Sequence, residues 1–124
     1  MAKVTIGMPI WNGAAYVADA IGSILAQTYD DFELMISDNA SSDATAEICL
    51  GYVRLDTRIR YIRQQLNLGV HSNHMYLFRH STSPYFKWAA HDDILAPAFI
   101  EKCVQVLDRD EGVVNVAPDS VGAG

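Results

Sequence analysis

The strongest constraint on this chain is its alternation. Short apolar, β-rich runs recur at intervals of roughly 25–30 residues, and each is followed by a segment of helical periodicity. Val4 to Ile10 reads as a first strand, with Pro9 expected to end its pairing. Asn12 is placed to cap a helix near residues 13–27, where Val17, Ile21, Ile24 and Leu25 share a face. Phe32 to Ser37 reads as a second strand. The helix after it runs to about Leu55, with Ile48, Cys49, Tyr52 and Val53 on one side. Arg60 to Arg63, Tyr85 to Ala90 and Val113 to Ala117 read as further strands. Helices are expected near residues 72–81 and after Pro97, the latter turning Phe99, Ile100, Cys103, Val104 and Leu107 inward.

This pattern predicts an α/β fold: a mainly parallel sheet with Val4–Ile10 central and helices on both faces. One domain spans 1–120, and Val121 to Gly124 reads as a frayed tail or cloning remnant. Sheets of this kind bind ligands beyond the carboxyl ends of their strands. Those ends carry Pro9 to Asn12, Ser37 to Asp43, Gln64 to Gly69 and Ala90 to Asp93, so the unusual polar motifs converge on one rim.

Composition narrows the function. A formal net charge of −6 argues against a nucleic-acid partner, which needs a basic face. Arg54, Arg58, Arg60 and Arg63 do cluster, either as a solvated helix end and strand edge or as a contact to a ligand phosphate. Cys49 and Cys103 lie apart in apolar surroundings and read as buried thiols. No stretch reaches the ~18 apolar residues of a membrane span. The domain is expected to be cytoplasmic, with membrane association of a longer parent left open.

Three clusters on the rim can carry chemistry. Asp38 stands at a strand end, ahead of the Ser42 and Asp43 positions that suit a helix cap. It is not needed as a cap, and its carboxylate can accept the imide N–H of a uracil or thymine ring. His91-Asp92-Asp93 follows an apolar strand and comes too early to cap the helix after Pro97. These carboxylates form either a solvated acidic turn or an oxygen site for Mg²⁺ or Mn²⁺. Asn67-Leu68-Gly69 forms a turn in which Gly69 supplies a positive φ, and Asn73 points from the next helix start towards the rim. Trp11 and Tyr16 are read either as core or as stacking groups. GxGxxG, GxxxxGK[ST] and GxSxG are all missing, which argues against dinucleotide, P-loop and hydrolase sites.

Taken in order, these pieces resemble family-two glycosyltransferases of the GT-A fold. Ile24 to Glu33, read ILAQTYDDFE, is similar to that family's "SIL-x-QTY-x-DFE" stretch. Asp38 to Asp43 looks like its "DD-x-S-x-D" loop, and Asn67-Leu68-Gly69 like its "N-x-G" turn. Tyr85 to Trp88, His91-Asp92-Asp93 and Pro97 resemble the strand and metal loop of one branch. The resemblance implies a domain that binds a nucleoside diphosphate sugar and passes the sugar to a glycan or other hydroxyl acceptor. It implies that Asp38 meets the base, that Pro9 and Asn12 line the same nucleotide site, and that Asn67 and Gly69 belong to it. Asp92 would bind a divalent cation (Mn²⁺ or Mg²⁺), with Asp93 supporting it or sharing it. The first aspartate of the family's "DxD" falls on Ala90, which His91 would compensate in part. The resemblance also implies a catalytic base in an acceptor-binding portion that this chain lacks. Asp108, Asp110 and Glu111 are not candidates for that base. The alternatives are a non-catalytic nucleotide-sugar-binding module, an inactive truncation, or an unrelated flavodoxin-like domain.

Overall fold

The computed structural model describes residues 2–109. Eight elements alternate: β1 (Val4–Ile10), α1 (Val17–Leu25), β2 (Phe32–Asp38), α2 (Thr45–Leu55), β3 (Ile59–Arg63), α3 (Val70–His80), β4 (Tyr85–Trp88) and α4 (Phe99–Arg109). The strands form a parallel sheet in the order β3-β2-β1-β4, so β1 is internal as expected. The fifth strand expected at Val113 to Ala117, and the tail, lie outside the described residues.

Strand alternation divides the sheet's side chains between two layers. On one face Val4, Ile6, Met8 and Ile10 of β1 meet Phe32, Leu34 and Ile36 of β2. This face packs against Val17, Ala20, Ile21 and Ile24 of α1, Cys49 of α2, and Phe99, Ile100, Cys103 and Val104 of α4. On the other, Met35, Leu77 and Phe86 form a smaller cluster under α3, joined by Ile62 and Trp88. Every α4 residue expected to point inward is buried. Each fully buried aliphatic chain stabilises the fold by about 1.5–3 kcal/mol relative to an exposed one. Gly7 leaves room for the Phe86 ring of β4 beneath α3: a Cβ there would lie 2.6 Å from Phe86 Cζ and 3.4 Å from Leu77 Cβ.

Two local expectations need correction. Pro9 does not end the pairing of β1 with β2, because Pro9 still registers with Ser37 and Ile10 with Asp38. It does mark the end towards β4, where the register stops at Gly7 and Trp88. Gly7 O accepts the Ala89 N–H, so the amide position two residues on, at Pro9, faces the same side and has no proton to give. Asn12 does not cap α1 either. The helix starts after Tyr16 without a side-chain cap, and Asn12 has φ 50° and bonds across to the next loop.

The ILAQTYDDFE stretch acquires a structural reason. Gln27 is buried and ties the end of α1 to the start of α4. Its Nε2 donates to Ala96 O (2.8 Å) and its Oε1 accepts from Ile100 N–H (2.9 Å). Thr28 N–H donates to Pro97 O at 2.8 Å. The segment that returns from the rim to α4 is thus pinned to the β1–α1 unit.

Candidate functional site

The chain runs outward from β1 to β2 and β3, then returns through α3 to place β4 on the other side of β1. The strand order thus reverses between β1 and β4, the place where open α/β sheets bind ligands beyond their strand ends. A cavity of about 340 Å³ lies there, lined by Pro9, Ile10, Trp11, Asn39, Val70, Asn73, His74, Trp88, Ala89, Ala90, His91 and Asp92. Of the residues assigned from the sequence to the nucleotide or the metal, Pro9 and Asp92 line it, as do Trp11, Asn73, Ala90 and His91 from the same motifs. Asn12, Asp38, Asn67, Gly69 and Asp93 do not.

Asp38 is fully buried. Its Oδ1 accepts the Ser41 N–H (2.9 Å), and its Oδ2 accepts from the Tyr61 hydroxyl and from Arg63 Nη1 (3.4 Å). Arg63 Nη2 also donates to Ser41 O at 2.9 Å. Burial first, and then donation to Asp38, raises the Tyr61 pKa above its ordinary value and keeps the phenol a donor. The carboxylate expected to present itself to a base is therefore engaged with its own loop and with β3. Removing Asp38 would leave the Ser41 amide and the Tyr61 hydroxyl without their acceptor.

The neighbouring loops are equally self-contained. Asn12 N–H donates to Ser41 Oγ (2.8 Å) and Asn12 Oδ1 accepts from Ser42 N–H (2.8 Å). Asp43 accepts from Ala14 N–H (3.1 Å) and from Thr45 N–H (3.0 Å), so it serves the start of α2 and holds the first loop as well. The Thr45 hydroxyl bond and these backbone donors hold the Asp43 carboxyl below its ordinary pKa. Asn39 Nδ2 donates to Asn67 Oδ1 (3.0 Å) and its Oδ1 accepts from Leu68 N–H (2.7 Å). Gly69 has φ 87° and ψ 159°, a conformation open to glycine, as its expected positive φ required. Asn73 does not point freely at the rim: Ser37 Oγ donates to its Oδ1 (2.6 Å) and its Nδ2 donates to Ser37 O (3.0 Å).

The β4 side differs. The turn after β4 is closed by Asp93 N–H donating to Ala90 O at 3.3 Å, and Asp92 and Asp93 are both exposed. Asp92 reaches the cavity wall and Asp93 does not. Among the described residues no three His, Cys, Asp or Glu side chains converge to hold a metal ion. An exposed carboxylate on a cavity wall still fits Mg²⁺ or Mn²⁺, which bind through one or two carboxylates plus substrate phosphates.

Sequence reading undervalued two aromatic residues. Trp11 is 55% exposed and lines the cavity, so it is not core. Trp88 lines it too, its ring packed on Phe86 (4.6 Å) and His74 (5.1 Å). Tyr16 is exposed but lies outside the cavity lining. The arginine cluster divides. Arg58 pairs with Asp56 and Arg60 with Glu33 away from the site, while Arg63 reaches the Asp38 loop. Both cysteines are buried and free, and burial pushes the Cys49 thiol up to about 12. No described helix is long and apolar enough to cross a membrane.

Comparison with known proteins agrees with this arrangement. The sequence pattern of glycosyl transferase family 2 matches residues 5–124. An uncharacterized glycosyltransferase of Rickettsia felis is 37% identical over 108 residues, covering 86% of this chain and 17% of the relative. The crystal structure of S. aureus TarS 1-349 in complex with UDP superposes with TM-score 0.81 at 17% identity, over 88% of this chain and 33% of that one. The mannosyltransferase PcManGT of Pyrobaculum calidifontis, in complex with GDP-Man and Mn²⁺, gives 0.79 at 20% identity, over 86% and 32%. The present chain thus spans a third or less of the length of these three proteins. With a parallel α/β sheet of GT-A type and a family match across nearly all of its length, the chain belongs to glycosyl transferase family 2.

Proposed function

We propose that the cavity between β1 and β4 binds the nucleoside diphosphate of a sugar donor, and that the chain is the donor-binding part of a glycosyltransferase. The observation that carries this reading is the placement of Trp11, Trp88 and Asp92 on one cavity at the fork of the sheet. Aromatic faces suit a base or a sugar ring. Asp92 would hold a divalent cation (Mn²⁺ or Mg²⁺), whose charge would offset that of the diphosphate leaving group. Two structural neighbours bind UDP and GDP-Man with Mn²⁺ respectively, which supports the ligand class.

The residues of this chain divide the work. Trp11 and Trp88 bind by stacking and shield the ligand from water. Asp92 carries negative charge at the cavity wall, so a diphosphate alone meets repulsion there. Asp38, Asn12, Asn39, Asn67 and Gly69 hold the loops around Pro9 and α3 in place. A direct Asp38–base hydrogen bond would require its Tyr61 and Arg63 partners to yield. Transfer of the sugar to a hydroxyl acceptor would also need a general base, a role none of these residues takes.

Both tryptophans of the chain, Trp11 and Trp88, line the cavity, so intrinsic fluorescence reports its occupancy. Titration with UDP and GDP should quench that fluorescence, more tightly with Mn²⁺ than with EDTA. Asp92→Ala should abolish the difference. Equal affinity in all four conditions would remove the metal-assisted reading and favour a non-catalytic binding module.

A further inference from the structure

His91 sits between the loop after β1 and the turn after β4. A Cβ built on Gly13 would lie 2.6 Å from His91 Cδ2, and 2.7 and 2.8 Å from Ile10 Cδ1 and Cγ1. Only a hydrogen at this position leaves room for the ring edge. Gly13 is itself buried and fixed, because its N–H donates to the buried Thr45 hydroxyl oxygen at 3.0 Å. The ring of His91 therefore rests on a rigid piece of backbone. The turn that follows lacks such anchoring, with Asp93 N–H to Ala90 O at 3.3 Å and both carboxylates exposed.

We infer that His91 is a positioning residue: its ring, seated on Gly13, sets the turn that presents Asp92 to the cavity. This rests on the donor-site reading of the same cavity. The role belongs to the shape of the ring, since a closely packed contact needs volume and no nitrogen. It also gives Ala90 a physical context. Where this position offers no carboxylate, the neighbouring side chain fixes the direction of the one that remains. Distance and direction to a cation are sensitive to small displacements, so a loosened turn weakens binding without touching the ligand.

The test compares His91→Ala and His91→Phe with the wild-type chain at one pH. Tryptophan quenching by UDP or GDP is read with Mn²⁺ and with EDTA. His91→Ala should lose about tenfold in affinity with Mn²⁺ and clearly less in EDTA, where only its own contact with the cavity is lost, as a loss of metal positioning requires. His91→Phe should recover most of the loss. The Asp93 amide should exchange faster in His91→Ala and return towards wild type in His91→Phe, whatever the ligand does. An unchanged Asp93 amide in His91→Ala overturns the inference. A His91→Phe variant as weak as His91→Ala overturns it too, because the imidazole nitrogen would then be the group in use. Should Asp92→Ala leave metal dependence intact, the donor-site reading fails, while the exchange data still decide whether His91 orders the turn.

Discussion

At the β2 end of the rim, Asn39, Ser41 and Asp43 bond to neighbouring loops, and Asp38 bonds to its own loop and to β3. At the β4 end, Asp92 and Asp93 stand exposed on a short turn. The two regions use the same side chain for opposite ends. A buried carboxylate in low dielectric is stable where its oxygens are matched by donors, and once matched it has little left for a ligand. An exposed one is weakly held, keeps its charge towards the cavity and can exchange water for a cation. The lesson is that an aspartate at a strand end marks the rim, while its partners decide whether it builds the wall or meets the ligand.

Breaking the wall should have the largest effect. Asp38→Ala leaves the Ser41 amide and the Tyr61 hydroxyl without acceptors and the Arg63 charge without its partner. The loss should be about 3 kcal/mol in urea unfolding, from the two donors left unsatisfied, with the half-exposed Arg63 adding little. Asp92→Ala should change stability by less than about 0.5 kcal/mol. A wild-type midpoint for Asp38→Ala would erase the contrast between the two regions.

Gln27→Ala comes next, at about 2 kcal/mol, because it frees the buried Ile100 N–H and Ala96 O together. It tests whether the open β4 side depends on a remote anchor. Unfolding midpoints should fall, and tryptophan quenching by nucleotide should weaken if the segment before α4 shifts.

Alkaline pH gives a smaller and graded effect. Burial holds the Cys49 thiol at about 12 against an ordinary 9.0. Above the ordinary value the unfolded chain releases this proton while the folded chain keeps it, so the folded state binds more protons. Stability should therefore fall as pH rises from 9.0 towards 12, by at most about 1.4 kcal/mol per pH unit. Cys49→Ser should flatten that arm. An unchanged alkaline slope would contradict the burial of this thiol.

Much of the scaffold was legible in the sequence. The inward residues of α4 and the bounds of β1 follow from periodicity, because apolar burial is the dominant local signal. The failures at the rim have one cause. Asn12 looks like a cap in sequence, yet its partner Ser42 lies 30 residues on. Asp38 looks free, yet Tyr61 and Arg63, 23 and 25 residues downstream, enclose it. Local propensity carries no information about such tertiary partners. Trp11 was undervalued for the converse reason: aromatic residues are usually buried, and the few left exposed beside a cavity are recognised by exposure alone.

The most direct test is a crossed pair of near-isosteric changes, Asp38→Asn and Asp92→Asn, each measured for unfolding free energy and for Mn²⁺-dependent quenching by UDP or GDP. The account predicts a double dissociation. Asp38→Asn should lose about 1.5–3 kcal/mol of stability, the range for hydrogen bonds to a charged group. Asp92→Asn should keep wild-type stability and lose the metal dependence. A stable Asp38→Asn with lost nucleotide affinity, or an Asp92→Asn that still responds to Mn²⁺, would contradict it.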